Sequence, residues 1–409
     1  MKARLLATLA SSVVLVTSSA QAGPLNPPAG PVTSTGKTLT EVEPRIAINA
    51  TNTPGDADSL FKITQPGSYY LTGNITGVSG KHGIEIAQTA VTLDLNGFTM
   101  FGAPGTLDGI NVSGATPPDI VIRNGTLQSW RNDGVDASNS FNVRVSNVKV
   151  TLCVQAGIKV GHAAAVTDCS VSLCASGIKA GNECILERCH ATQSLSGDGF
   201  DIGSFSVLSM CVASRGSGIG FDVGASCLIR GCVANENGVS GFSTSDSSIV
   251  ECLAQANGSH GFSDVASIIE RCESRSNGAS GFNLLSTIIR GCLASANTQH
   301  GIVATNTCIV TGNLCGINGT GGIGAGIRVV EARNRIEDNV CTNNDVGIDC
   351  IGFDTFLARN LCKDNGTNWN VAAGNVCLVV QATETVAAIV GNSGGLSPGS
   401  SNPFANFTY

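Results

Sequence analysis

A fourfold repeat of 20 residues between Cys227 and Ile302 constrains the fold of this chain more than any other feature. The copies contain CLIRGCVANENGVSGF, SSIVECLAQANGSHGF, SIIERCESRSNGASGF and TIIRGCLASANTQHGI. A cysteine, serine or threonine, then a second cysteine, an Asn and a Gly-Phe or Gly-Ile pair recur in equivalent places. A fixed period of this length is typical of solenoid proteins, in which each repeat forms one coil that stacks on its neighbours.

Weaker copies of the Gly-apolar pair extend the repeat from Gly83 to Gly347, at steps of 20 to 26 residues. Each repeat contains short apolar runs that are interrupted by Asn-Gly or small polar residues, and none of these runs is long enough for a helix. We therefore predict an all-β, single-domain parallel β-helix over residues 59–380, with about 12–13 coils at the usual strand spacing. Helical spacing from Leu39 to Ile48, with Thr40 and Glu43 as a capping box, predicts a short helix within an N-terminal cap over residues 39–58.

The chain begins with features of a secretory signal. Lys2 and Arg4 precede a short apolar run, and Ala20-Gln21-Ala22 is typical of a cleavage site, so residues 1–22 are predicted to be a signal peptide. A Pro- and Gly-rich linker over residues 23–38 and a C-terminal tail over residues 381–409 complete the expected domains. No later segment is long and apolar enough to span a membrane. The mature protein is therefore expected to be secreted and to lie outside the cell, at the cell surface or in the periplasm.

The net charge of −7, with no basic cluster, argues against a nucleic-acid partner. The 17 cysteines are an odd number and show neither a CxxC nor a Cys/His metal spacing. Neighbouring parallel strands hold Cβ atoms about 4.8 Å apart, whereas a disulfide prefers about 3.8 Å. We predict that most are buried thiols in a row from Cys169 to Cys292, which Cys315, Cys341 and Cys362 continue. A few disulfides or a redox role remain as alternatives.

One predicted outward row lies two residues after each repeat glycine. Its middle reads Asp136, Lys159, Lys179, Asp201 and Asp222, which places carboxylates and amines on one strip. In a catalytic interpretation, the two lysines are candidate bases toward an acidic sugar and the three aspartates are candidate substrate ligands. Asp201 and Asp222 are also candidate ligands for Ca²⁺, the only cofactor that the sequence suggests. A solvated ladder of mutually neutralising charges explains the same residues without a ligand.

The coil pattern, the Asn row and the stacked apolar rows resemble the right-handed parallel β-helix superfamily, which includes pectate lyases, polysaccharide epimerases and β-helix glycosidases. This resemblance covers about residues 60–380 and implies a right-handed coil. The opening, from GPLNPPAGPV to SYYLTGNI, and the ending NPFANF resemble secreted β-helix repeat proteins of unassigned function from planctomycete-like bacteria. That likeness implies bacterial export. Neither a lyase signature nor the Asp-pair and Gly-His-Gly pattern of β-helix hydrolases is present.

Two functional hypotheses follow. The first is a secreted extracellular or envelope scaffold or adhesion protein that binds polysaccharide. The second is a polysaccharide lyase, or a related enzyme such as a glycoside hydrolase of the β-helix type, that acts on acidic polysaccharide at the strip from Asp136 to Asp222. Steps of 20 to 22 residues leave no room for long loops that would wall an active cleft over most of this strip. The sequence therefore favours the scaffold.

Overall fold

The computed structural model describes residues 43–113, 119–320, 322–381, 389–391 and 403–408. The chain divides into a unit that ends at Pro44 and a second unit that begins at Arg45. In the described part of the second unit every ladder between strands is parallel and no helix is present. The fold is a parallel β-solenoid, which confirms the predicted all-β class. The predicted signal peptide and linker lie outside the described residues.

The front sheet contains 16 strands, one for each coil. They are Ser59–Ile63, His82–Ile86, Ile110–Val112, Val135–Phe141, Ala156–His162, Ser176–Ala180, Phe200–Ile202, Phe221–Ala225, Phe242–Ser245, Phe262–Val265, Phe282–Leu285, Ile302–Ala304, Ala325–Val329, Val346–Cys350, Thr367–Val371 and Ile389–Gly391.

Two further ladders form one 30-stranded sheet, because two long strands, Ile120–Gln128 and Arg144–Thr151, belong to both. The other strands of the side ladder are Ile46–Ala47, Gly67–Tyr70, Val91–Asp94, Ala165–Thr167, Ile185–Glu187, Val207–Ser209, Leu228–Arg230, Ser248–Val250, Ile268–Glu270, Ile288–Arg290, Ile309–Thr311, Arg335–Glu337, Phe356–Ala358 and Val376–Cys377. Those of the rear ladder are Ile75–Thr76, Thr99–Phe101, Ser170–Ser172, His190–Thr192, Val212–Ser214, Val233–Asn235, Leu253–Gln255, Glu273–Arg275, Leu293–Ser295, Leu314–Gly316, Val340–Thr342, Leu361–Lys363, Val379–Gln381 and Asn406–Thr408.

Two details of the fold prediction are wrong. The coil count of 12–13 is too low, because three front strands, Ser59–Ile63, Thr367–Val371 and Ile389–Gly391, lack the Gly-apolar pair on which that count was based. The predicted helix is absent where the structure describes its last residues. Ile46 and Ala47 form a strand paired with Tyr69 and Tyr70, since the exposed edge of the first coil offers hydrogen bonds that outweigh a weak helical spacing.

Residues in the left-handed conformation form corners that lie five residues apart within a coil. One coil turns at Ala266, Arg271 and Ser276, with φ of 60°, 50° and 56°. The first corner separates the front strand from the side strand, the second separates the side strand from the rear strand, and the third ends the rear strand. The side strands from Ala165–Thr167 to Phe356–Ala358 therefore have only three residues each. The middle residue points inward, as Ile269 does.

The repeat glycine is required by close packing between coils. A Cβ atom on Gly241 would lie 2.6 Å from the carbonyl oxygen of Gly261. The residue after each glycine points into the core. Five of these form a stack from Phe200 to Phe282, with ring centroids 4.7–4.8 Å apart.

An asparagine ladder closes the regular coils on their remaining side. Asn257 accepts hydrogen bonds from the backbone N–H of Asn237 at 3.1 Å and from its side-chain amide at 3.0 Å. It donates to the carbonyl of Ala234 and to Asn277, and all of these side chains are buried. The row therefore joins consecutive coils of the regular block through hydrogen bonds.

All 17 cysteines are buried and unpaired, as predicted for core thiols. The predicted continuation of their main row is wrong. Asn313 follows Cys292 in that row and accepts a hydrogen bond from its backbone N–H at 2.9 Å. Cys315 instead pairs with Ala294 in the rear ladder, where Cys341 and Cys362 continue it. Asn313 and Cys315 are only two residues apart, so spacing between cysteines alone does not show which of them follows Cys292.

Candidate functional site

The front sheet brings all five predicted site residues into one continuous outward row. Asp136 pairs with Lys159, Lys159 with Lys179, Lys179 with Asp201, and Asp201 with Asp222. Their neighbours Val135, Ile158, Ile178, Phe200 and Phe221 are fully buried. Because side chains alternate across a strand, the five polar groups face away from the core, about 4.8 Å apart along the rod.

The two lysines lie side by side and each contacts an aspartate on its far side. The Lys179 Nζ atom is 2.8 Å from Asp201 Oδ2, and the Lys159 Nζ atom is 3.8 Å from Asp136 Oδ2. The lysine side chains remain 37–38% exposed. Two ammonium groups on adjacent strands repel each other, so each pairs with the acidic neighbour on the opposite side. Such exposed pairs contribute little to stability, which leaves their charge available to a ligand.

Asp222 ends the charged part of the row. Burial raises the pKa of its carboxyl, and the negative charges of Asp198 and Asp201 raise it further, against a hydrogen bond from Ser243 that lowers it. Beyond Asp222 the row continues as Ser243, Ser263 and Asn283. The charged strip therefore stops where the regular repeat block begins.

Sequence reasoning missed Asp133, because an Asp before a Gly is typical of a turn and gives no sign of a buried carboxyl group. Asp133 is buried, and its Oδ1 accepts a hydrogen bond from the backbone N–H of Ala156 at 2.7 Å. Asp108 holds the N–H of Asp133 in the same manner at 2.9 Å. Burial raises the pKa of Asp133 to about 6, and the charges of Asp136 and Asp108 contribute to this rise. The sequence signal was its place three residues before Asp136, in a coil that carries charge on both positions.

Asp133 lines the same surface depression as the two lysines. This depression has a volume of about 390 Å³, and Gln155 and Ser176 are among the residues that complete its wall. Asp201 and Asp222 are not part of its lining. The structure therefore brings the predicted bases together with an unpredicted buried acid, while the predicted calcium ligands lie farther along the row.

The predicted calcium ligands supply fewer oxygen atoms than calcium requires. Calcium takes about six to eight oxygen ligands, and Asp201 and Asp222 supply four at most. The ammonium of Lys179 already contacts Asp201. Among the residues that the structure describes, three acids with mutually close oxygens occur at Asp56, Asp58 and Glu85. There the ammonium of Lys62 lies 2.7 Å from Asp56 and 2.9 Å from Glu85, so the positive charge of this lysine already neutralises the acids.

No helix in the described part of the chain has the length and apolar character needed to cross a membrane.

No protein-family model and no curated relative matches this chain. Similar solved structures include the A-module of mannuronan C-5 epimerase AlgE4 from Azotobacter vinelandii, at 16% identity over 72% of this chain and 86% of that chain, with a TM-score of 0.42. A tailspike protein of E. coli bacteriophage HK620, in complex with a pentasaccharide, has 10% identity over 85% and 71%, with a TM-score of 0.45. The catalytic domain of an α-1,3-glucanase, in complex with tetrasaccharides, has 13% identity over 67% and 63%, with a TM-score of 0.40. Because these scores lie below 0.5, the function proposed below rests on the residues of this chain.

Proposed function

We propose that the protein is an exported β-solenoid scaffold that binds acidic polysaccharide on its front sheet. The observation that carries this proposal is the pair of adjacent lysines, Lys159 and Lys179, that open onto one depression. Their ammonium groups would contact sugar carboxylates, and Asp136, Asp201 and Asp222 would accept hydrogen bonds from sugar hydroxyls. A polysaccharide that runs along the rod meets these groups in succession.

The ion pairs favour binding over catalysis by lysine. An ammonium that contacts a carboxylate, as Lys179 does at 2.8 Å, has no free lone pair with which to accept a proton. It can exchange or share its aspartate partner with an incoming carboxylate, because both groups are near the surface. From Ser243 to Val303 the row is neutral, and the next cation along it, Arg328, contacts Asp349. We therefore expect the charged strip to fix where an acidic chain binds.

Isothermal titration of the protein with polygalacturonate, and with dextran as a neutral control, tests this function. We expect binding of the acidic polymer to weaken about tenfold or more in the Lys159→Ala/Lys179→Ala variant, if each lost charge-assisted contact contributes about 1 kcal/mol. Lys149→Ala is the matched control, since Lys149 is an exposed lysine on the rear ladder. Binding that is absent, or equal for dextran and polygalacturonate, or unaffected by the double substitution, contradicts the proposal.

A polysaccharide lyase remains a second candidate because Asp133 lies in the same depression as both lysines and ionises near pH 6. In that reaction Lys159 or Lys179 would remove the proton next to a sugar carboxylate. The glycosidic C–O bond would break as a C=C bond forms, and the leaving oxygen would take up a proton. Ca²⁺, which would neutralise the sugar carboxylate in such a reaction, would need ligands beyond Asp201 and Asp222, because these two carboxyl groups supply four oxygens at most.

Absorbance of unsaturated products, followed with uronate polymers in the presence and absence of Ca²⁺, separates the two candidates. Product formation that disappears in Lys159→Ala or Lys179→Ala would establish the lyase. Tight binding with no product in either condition supports the scaffold.

A further inference from the structure

The side ladder exposes a row of aliphatic side chains on its outer face. The first residue of each three-residue strand points outward, while the middle residue, such as Ile229, is fully buried. Strand pairing aligns Ile185, Val207, Leu228, Ser248, Ile268, Ile288 and Ile309 in consecutive coils. Ile185, Leu228 and Ile268 are 52%, 42% and 42% exposed. Ile288 and Ile309 are partly exposed, and Ser248 interrupts the row at its centre. Exposed aliphatic side chains that line up in this way indicate a contact with another surface.

The order of residues in this row is symmetric about Ser248. Three aliphatic residues precede it and three follow it, so Leu228 and Ile268 stand one coil away on either side. The next pair outward is Val207 with Ile288, and the last is Ile185 with Ile309. A row that reads the same in both directions can pack against a second copy that runs the opposite way.

One pair of charges beside this row has the matching symmetry. Two residues further along each strand, the outward positions carry Arg230, Val250 and Glu270 in consecutive coils. Val250 lies in the same coil as Ser248, and opposite charges stand one coil away on either side of it. Within the chain, Arg230 contacts Glu251 at 3.1 Å and Glu270 contacts Arg271 and Arg290, all at the surface.

We propose that this face is an interface between two copies of the chain, which pack antiparallel about a two-fold axis along the strand of Ser248 and Val250. This symmetry keeps each column of residues opposite the same column of the second copy and reverses the order of the coils. Leu228 then packs on Ile268 of the second copy, and Arg230 faces Glu270 of the second copy. Glu251, at the corner after Val250, faces the same residue of the second copy, and Arg230 and Arg271 of its own chain neutralise it.

The size of the face sets the strength of the contact. Seven strands at the usual spacing give a row about 29 Å long. With a width of about 15 Å for one side of a coil, each copy would bury roughly 430 Å², about half of what a stable interface buries. The dimer is therefore weak and depends on concentration. The front sheet is a different face, so its lysine strip stays open, and the dimer does not depend on the proposed polysaccharide binding.

Sedimentation velocity of the full chain from about 1 to about 200 µM tests this interface. We expect a shift from monomer to dimer across this range, and no shift in Leu228→Lys or Ile268→Lys. Leu314→Lys is the matched control, because Leu314 is an exposed outward residue of the rear ladder at 45% exposure. Thermal unfolding checks that each variant folds. A wild-type chain that remains monomeric throughout, or a Leu228→Lys variant that still dimerises, overturns the proposal.

An exchange of charges tests the antiparallel register. Arg230→Glu and Glu270→Arg should each weaken the dimer, since each places like charges opposite one another twice about the axis. The double variant should associate again, because both contacts recover opposite charges. A double variant that associates no better than the single variants contradicts this register.

Discussion

The coils from Asp133 to Asp222 and the regular block from Cys227 to Ile302 share one backbone plan but differ in where their polar groups point. The block contains a buried polar ladder, in which Asn237, Asn257, Asn277 and Asn297 hydrogen-bond from coil to coil. Its outward row on the front sheet is neutral, with Ser243, Ser263 and Asn283. The earlier coils place charge on that same row. We therefore propose that the charged coils bind the ligand, whereas the block contributes an asparagine ladder and three rings of the phenylalanine stack to the core.

The largest expected effect is on stability within the regular block. Phe242→Ala removes the middle ring of the phenylalanine stack, which contacts both neighbours at 4.7–4.8 Å. A buried Phe→Ala change costs about 3–5 kcal/mol in the free energy of unfolding. Chemical denaturation measures this loss, and Ser243→Ala on the adjacent outward position should cost under about 0.5 kcal/mol. The account also requires polygalacturonate binding by folded Phe242→Ala to stay unchanged.

The asparagine ladder should give the next largest effect. Asn257→Ala removes hydrogen bonds to Asn237, Asn277 and Ala234 and leaves buried amide groups without partners. We expect a loss of about 2–3 kcal/mol, since each orphaned buried group costs about 1–3 kcal/mol but the coil can relax. Denaturation of Asn257→Ala beside Asn235→Ala, a partly exposed position in the preceding coil, measures it. Equal small losses in both would show that the ladder is not a stabilising element.

A buried carboxyl group in each region allows the two regions to be compared. Asp264 is the buried carboxyl group of the regular block. It points into the core between Thr244 and Thr287, and burial raises the pKa of its carboxyl. An acid whose pKa is raised on folding destabilises the fold as pH rises through that pKa, and has no such effect below its unfolded pKa of about 3.9. Asp264→Asn should therefore increase stability by about 1 kcal/mol at pH 7 and by nothing near pH 3. Thermal unfolding at both pH values checks this sign, and a gain that is equal at both would contradict it.

Asp133 is the buried carboxyl of the charged strip, and its effect should appear in binding. The pKa of Asp133 is raised to about 6, first by burial and then by Asp136 and Asp108. Protonation below that value removes a negative charge beside Lys159, while sugar carboxylates stay ionised. Acidic polysaccharide should thus bind about two- to threefold more tightly at pH 5 than at pH 7.5, a difference of under 1 kcal/mol. Titration at both pH values measures it, and Asp133→Asn should bind equally at both. A pH response that survives this substitution arises elsewhere.

The sequence was sufficient for the architecture and for the outward row, because a fixed step between repeats determines which residues neighbour each other. The position two residues after each repeat glycine was enough to predict the alignment of Asp136 with Lys159 and of Lys179 with Asp201. Prediction failed where the signal was local or the step changed. The strand at Ile46 pairs with the edge of a neighbouring coil, which helical spacing does not reveal. Cys315 stands 23 residues after Cys292, but the ladder advances by 21 residues there and aligns Cys315 with Ala294. Asp133 was missed because its role depends on the N–H of Ala156 in the next coil.

Lysine footprinting tests the division of the rod most directly. The folded chain is acetylated with and without polygalacturonate, and the modification of each lysine is read by mass spectrometry. We predict that the polymer protects Lys159 and Lys179, whereas Lys149 on the rear ladder is modified equally in both samples. Equal modification of Lys159 and Lys179 with and without a bound polymer, or protection confined to Lys149, would contradict the placement of binding on the charged coils.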